Sequence, residues 1–478
     1  MNGGAITGRS LQLRLISSLA VAVFMARLDI YVVNISLPSI ARHFGAGTNA
    51  VAWVTMGYLL SNCGSMMLVG RLADTANPRT LFIWGYAVFT AGSLFCGLST
   101  SLGMLVFFRC VQGLGGSILV ILTYTAVSRL LPAANVGGAM GVLATCGALG
   151  IAVGSPLGGF LTERLSWQWV FFINVPVGLL AILFASWAIP GGGGAEKRSG
   201  RMDCLGALLS ILGVVSFILA LNASQQECRN MLTVLSLFSL SAFSGLLFFI
   251  RQLKAKDPLI ASSLLKERLF LLGNAVSVFG LILMGGNAFL MPFFLELGKG
   301  LGTARAGLVL LAYSVTFIIL SPLTGRLADR FAPWRLCAAG MGLAAAGSVI
   351  FSLTLGAPGL ASAVVFLVGL ALAYALFMAS NAKQVLGSAP MEQKGSASAV
   401  FGTLYSLSLL LGVNVFETLY AAKAGIRGNA VPLTDTERLA SGFSHAYIFG
   451  ACACLISIVF ALGIPWGGKR RSRWGTRA

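Results

Sequence analysis

The sequence predicts an all-α protein that crosses a lipid bilayer many times, and three observations carry the expectation. Of its 478 residues, 57% are hydrophobic and only 10% charged, with a mean hydropathy of +0.88. A soluble surface is about a quarter or more charged, so this supply cannot clothe globular domains of such length. The apolar runs, such as 349–355 and 452–464, are long and unbroken. Barrel strands would instead alternate, which favours helices. Finally, the basic residues gather in every second loop, the pattern of a chain threaded back and forth through a membrane.

Taken in order, apolar stretches separated by Gly, Pro or charge fall at 11–37, 50–70, 80–98, 104–130, 137–162, 170–189, 204–222, 231–250, 270–294, 305–324, 336–356, 360–387, 396–421 and 442–465. Each approaches the ~20 residues a bilayer requires, which predicts fourteen spans. The first follows Arg9 and Arg14 in the manner of a signal peptide. It continues through Asp29 and Asn34 to Pro38 without a small-residue cleavage site, so an uncleaved first helix is expected. With the N-terminus in the cytoplasm, and basic residues at span ends counted with the adjoining loops, 22 of the 33 fall in cytoplasmic loops, 8 in outer loops and 3 well inside spans. That bias predicts a multi-pass protein of the plasma (inner) membrane with both termini cytoplasmic.

The chain also repeats itself. Gly70-Arg71-Leu72-Ala73-Asp74 follows the second span, and Gly325-Arg326-Leu327-Ala328-Asp329 follows the tenth, 255 residues later. Six helices with short loops need roughly 180–200 residues, so the excess matches an extra helix pair. The expected organisation is an N-terminal six-helix bundle (1–190), a linker with inserted spans seven and eight (191–264), a C-terminal six-helix bundle (265–466) and a basic tail (467–478). Repeats around a midplane site suggest a transporter.

The motifs resemble those of the major facilitator superfamily, specifically its fourteen-span drug:proton antiporters. Leu28 to Pro38 (Leu-Asp-Ile-Tyr-Val-Val-Asn-Ile-Ser-Leu-Pro) is similar to that family's first-helix signature. Gly70 to Asp74 with Arg79 resembles the cytoplasmic loop motif, and Arg109 to Gly116 the fourth-helix motif. Gly141, Gly150, Gly154, Pro156, Gly158 and Gly159 resemble the fifth-helix antiporter motif, and Trp167-Gln168-Trp169 with Asn174 to Gly178 completes the series. Three positions depart from the pattern: Asn77 stands where the loop motif usually has Gly, Pro156 lies one position late, and Gln168 replaces a usual Arg. The resemblance implies a major facilitator fold and proton-coupled export by alternating access. Asp74 and Asp329 fall at cytoplasmic helix junctions, where a carboxylate can cap a helix N-terminus and pair with Arg71, Arg79, Arg326 or Arg330, so Gly70, Asp74, Arg79, Gly325 and Asp329 are expected to form a conformational latch.

Of the fourteen acids, only Asp29 and Glu417 lie within apolar stretches. A carboxylate in mid-membrane is costly as an ion, so Asp29 either exchanges a proton during transport or is permanently paired, with Arg109 as a candidate partner. Arg109 itself needs a buried acceptor, which Asp29, Gln112 or backbone would supply. Arg27 sits two residues, about 200°, around the helix from Asp29, with its partner undetermined. Glu417, near the outer end of its span, reads as an interfacial group. Lys383 either meets substrate or snorkels toward the cytoplasmic end. The span-five glycines suggest a tight seam between bundles. Asn34, Tyr58, Tyr124, Tyr313 and Phe377 are candidate cavity residues, although aromatics at helical spacing also serve as plain packing. Three basic against two acidic residues inside spans lean toward neutral or anionic amphiphiles as substrates.

Other functional classes fit poorly. The net charge of +19 is scattered through short loops, not gathered on one face, so nucleic acid is not an expected partner. The two histidines, His43 and His445, and nine mostly intraspan cysteines supply no metal cluster, disulfide framework or nucleophile–base pair. No cofactor and no enzymatic activity are expected. A non-transporting scaffold would carry a sizeable soluble domain, and a dedicated exporter of one metabolite or siderophore-like acid is the rival within transport. The basic tail (Lys469, Arg470, Arg471, Arg473, Arg477) would rest on anionic lipid. The sequence does not say whether a periplasmic adaptor engages.

Overall fold

The structure, a computed structural model, describes residues 8–75, 77–189, 204–224, 230–254, 263–389, 394–424 and 436–464. The glycine linker at 191–194, the basic tail and the side chains of Arg71, Asp74, Tyr124 and Asp329 lie outside the described residues.

Every regular element among them is helical. The first half comprises α1 (Arg9–Phe44), α2 (Thr48–Thr75), α3 (Pro78–Gly97), α4 (Leu102–Leu130), α5 (Ala133–Arg164), a single turn α6 (Trp169–Phe172) and α7 (Asn174–Ala188). Next come α8 (Cys204–Ala223) and α9 (Met231–Lys254). The second half comprises α10 (Arg268–Phe293), α11 (Thr303–Arg330), α12 (Pro333–Leu353), α13 (Ala361–Gly387), α14 (Lys394–Ala424) and α15 (Thr436–Leu462). Among the described residues, twelve helices are long and apolar enough to cross a membrane. The segment Leu208–Leu221 within α8 is apolar but shorter.

Local chemistry sets the helix ends. Gly45 closes α1 at φ +58°, a left-handed conformation that suits a residue without a β-carbon. The Ser101 hydroxyl accepts the Met104 N–H at the start of α4. Asn77, the residue that departs from the loop motif, caps α3: its Oδ1 accepts the Arg79 N–H at 3.0 Å, with Pro78 at the first helical position.

Two bundles emerge from the packing. In the first, α1 lies on α5, α4 on both α2 and α3, and α3 on α7. In the second, α10 lies on α14 and α15, α12 on α13 and α15, and α11 on α13. They meet along two seams, α2 with α14 and α5 with α11. The pairings correspond between the bundles, α1 on α5 to α10 on α14 and α2 on α4 to α11 on α13. Helix α8 packs against α9 and also touches α2 and α14, so it lies beside one seam, with Ile211 next to Gly64. The outward faces are apolar: Leu232 on α9 is 76% exposed and Leu353 on α12 is 80% exposed. Surface of this kind suits acyl chains, not water.

The α5 glycines correct one expectation. A methyl on Gly150 would stand 2.7 Å from the Phe24 carbonyl, and one on Gly158 2.7 Å from the Val32 carbonyl. With Gly147 and Gly154 these form an i, i+3, i+7, i+11 row that seats α5 on α1 within one bundle. Of the motif glycines, Gly159 turns to the other bundle, where a methyl would meet the Thr303 carbonyl at 2.5 Å. The row and Gly159 point different ways because adjacent residues lie about 100° apart on a helix.

Candidate functional site

Helix α1 passes through the centre of the molecule, and its two faces do different work. One face carries Asp29 into the interior of the first bundle. Arg109 Nη1 donates to Asp29 Oδ2 at 2.7 Å, and both residues are essentially inaccessible. Asp29 Oδ1 accepts from Gln112 Nε2 at 2.8 Å and from Asn174 Nδ2 at 2.9 Å. Gln112 and Asn174 also share the Ser93 hydroxyl, at 2.5 and 3.2 Å. Arg109 donates further to Gln112 Oε1 at 2.6 Å and, through Nε, to the Val54 carbonyl at 3.0 Å. Its guanidinium carbon lies 4.4 Å from the centre of the Tyr58 ring. The pair anticipated from the sequence is thus made, within a polar core drawn from α1, α3, α4 and α7. Tyr58 serves this core as a face for the guanidinium.

The other face of α1, carrying Arg27, Tyr31, Asn34 and Ile35, borders the space between the bundles. Two adjoining cavities share Tyr31, Asn34, Met284 and Ala288. The first reaches Ser155, Asn287, Tyr313 and Ser314. The second reaches Arg27, Thr55, Tyr405 and Leu409. Thr55 donates to Asn34 Oδ1 at 2.9 Å and fixes that amide's orientation. Arg27, whose partner the sequence left open, donates from Nη1 to the Tyr405 hydroxyl across the seam at 3.3 Å. Of the anticipated cavity residues, Asn34 and Tyr313 line it. Tyr58 and Lys383 do not: Lys383 Nζ donates to the Ala328 carbonyl near the end of α11, at 2.9 Å, where a cation meets the negative end of a helix. Phe377 packs against Gly280 inside the second bundle.

At the end of the molecule where α1 gives way to α2, carboxylates seal the seams. Arg42 and Glu296 form an ion pair at 2.8 Å between α1 and the turn after α10. Glu163 at the end of α5 accepts the Ala304 N–H at 2.7 Å and so caps α11 from the opposite bundle. Ser39 and Thr303 hydroxyls meet at 3.4 Å. Glu417 accepts from Thr48 at 3.1 Å and is only 1% exposed, so it lies between bundles and not at a lipid interface. Glu163 and Glu296 stand just past the ends of the apolar stretches 137–162 and 270–294, and nothing in local pattern says which distant helix stands opposite them.

A family model described as the Major Facilitator Superfamily matches residues 19–413. The chain belongs to that superfamily. It is therefore an integral, multi-pass membrane protein of a transporter family. Among curated relatives it is 27% identical over 444 residues to the riboflavin transporter RibZ of Clostridioides difficile (strain 630), covering 93% of this chain and 95% of that protein. It is 29% identical over 449 residues to the putative multidrug resistance protein MdtD of Escherichia coli O81 (strain ED1a), covering 93% and 92%. With the multidrug transporter protein MdtP of Bacillus subtilis (strain 168) it shares 30% identity over 316 residues, 66% of this chain and 58% of MdtP. The fold matches a bacterial homologue of the human lysosomal transporter Spinster with a TM-score of 0.66 at 15% identity, covering 95% and 97% of the chains. A crystal structure of a POT family transporter in complex with a thioalcohol-conjugated peptide matches with a TM-score of 0.67 at 13% identity, covering 94% and 95%.

Proposed function

We propose that this protein exports amphiphilic small molecules from the cytoplasm in exchange for protons, by alternating access. It would lie in the plasma (inner) membrane with both termini cytoplasmic, its fourteen spans divided as two six-helix bundles plus the inserted pair α8 and α9. In that orientation the α1–α2 end faces outward, and the described state is sealed from outside by Glu163, Glu296 and Glu417.

One observation carries the proposal: a single helix bears the buried Asp29–Arg109 pair on one face and the cavity wall on the other. Protonating Asp29 would remove its attraction for Arg109. The guanidinium keeps Gln112 Oε1, the Val54 carbonyl and the Tyr58 face, so it need not leave the core. Freed of the ion pair, α1 can shift against α4, and the cavity wall moves with it. Each proton entering supplies roughly 2.3 kcal/mol per 100 mV of membrane potential. The latch assigned to Gly70, Asp74, Arg79, Gly325 and Asp329 would hold the cytoplasmic ends when the outer seal opens.

Names of the relatives favour two cargo readings. MdtD and MdtP point to broad drug export, whereas similarity to RibZ over nearly the whole chain supports a carrier of one metabolite. Purified protein in proteoliposomes with an internal pH dye decides the mechanism: a transported substrate should drive proton movement in the opposite direction, and substrate movement indifferent to a collapsed pH difference would refute antiport.

A further inference from the structure

The cavity has a sign. Three basic residues lie inside spans, but the structure sends them to different places: Arg109 is neutralised by Asp29, and Lys383 caps the end of α11. Arg27 alone of the three borders the cavities, and neither cavity is lined by Asp or Glu among the described residues. The buried acids are spent elsewhere, Asp29 inside the bundle and Glu296 and Glu417 in the outer seal. The stem of Arg27 is held against α5, where only Gly147 and Gly150 leave room for it. Its guanidinium lies 5.3 Å from the centre of the Tyr405 ring. Tyr313, 7% exposed, lines the adjoining cavity with a hydroxyl that has no hydrogen-bond partner among the described residues.

A fixed cation, tyrosine hydroxyls able to donate, and walls of Met284, Leu409 and Val413 make a site for one kind of molecule. We propose that the cavity selects anionic amphiphiles, with Arg27 as the specificity-determining residue that meets a carboxylate, sulfonate or phenolate while the apolar body lies on the second bundle. This rests on the exporter reading and narrows it. Guanidinium hydrogen bonds to an oxyanion are charge-assisted and strengthen out of water, whereas a cationic ligand would meet a like charge with no carboxylate among the described lining residues to receive it. The Arg27–Tyr405 contact is long enough to yield to a better acceptor.

The test uses three probes with one ring system and different charge: 1-naphthylacetate, 1-naphthylmethanol and 1-naphthylmethylammonium. Binding to the purified full-length protein is measured by calorimetry in detergent, and transport in proteoliposomes. Wild type should prefer the acid. Arg27→Gln should weaken acid binding by tenfold or more while moving the alcohol less than about twofold, and Arg27→Lys should restore most of the preference. Equal binding of acid and amine by wild type, or equal loss of acid and alcohol in Arg27→Gln, would overturn the assignment. If the alcohol binds and moves but the acid does not, only the charge inference fails. If no probe binds and none is carried, the amphiphile reading fails and the inference with it.

Discussion

Replacing Asp29 by Asn separates the structural part of the ion pair from its proposed part in coupling. The substitution keeps the shape of the side chain and removes its charge. It leaves Arg109, 1% exposed, without its counter-ion. Breaking a buried pair from one side costs about 3–5 kcal/mol. Here the loss should fall at or just below the lower end, about 2–3 kcal/mol. Gln112 Oε1 and the Val54 carbonyl still accept from the guanidinium, and the carbonyl oxygen of the introduced amide could still accept from Asn174. Arg109→Gln alone should cost a similar amount, since it strands the carboxylate. The double variant should recover part of the combined loss, giving a coupling of at least about 1 kcal/mol. Thermal unfolding of the four proteins in one detergent measures this cycle, and proton-driven export in everted vesicles is followed beside it. Stability should return partly in the double variant while proton-driven export stays abolished. Additive stabilities would show that the pair is not energetically coupled, and wild-type export by Asp29→Asn would remove Asp29 from the proton path.

Other outcomes follow from the same geometry. Gly158→Val should destabilise the first bundle by several kcal/mol, because even a methyl would stand 2.7 Å from the Val32 carbonyl. Gly141→Ala, with nothing within 4 Å, should be neutral or stabilise by up to about 1 kcal/mol in the same melts. Glu163→Ala removes the carboxylate that caps α11 across the seam, worth about 1 kcal/mol. It should therefore reduce disulfide cross-linking between cysteines placed at Ser39 and Thr303, and unchanged cross-linking would show that the cap does not hold the seal. Thr48→Val should shift the same closed population at least as much, as it takes from the buried Glu417 carboxylate the hydrogen bond it accepts from Thr48.

The all-helical, multi-pass character was legible because lipid leaves few options, and length and hydropathy announce it; fourteen spans were expected, whereas twelve helices among the described residues are long and apolar enough to cross a membrane. The Asp29–Arg109 pair was legible for a related reason, since two opposite charges in apolar helices have few other partners. What failed were statements about helix faces in three dimensions. The α5 glycines look alike in sequence, yet Gly150 and Gly158 meet α1 whereas Gly159 meets α11. Glu417 reads as interfacial because it stands near a span end, but α2 brings Thr48 over it and buries it. Asn174 is one residue of a motif in sequence, and only the packing of α7 beside α3 carries it to Asp29. Lys383 shows the converse: the Ala328 carbonyl that accepts from it belongs to a different helix, 55 residues away.

The central claim is that Asp29 exchanges its proton as the cavity empties. Infrared difference spectroscopy of the reconstituted protein, comparing the substrate-loaded and proton-loaded states, tests it most directly. A carboxylic-acid stretching band that appears in the proton-loaded state and vanishes in Asp29→Asn is expected; a carboxylate ionised in both states would contradict the account.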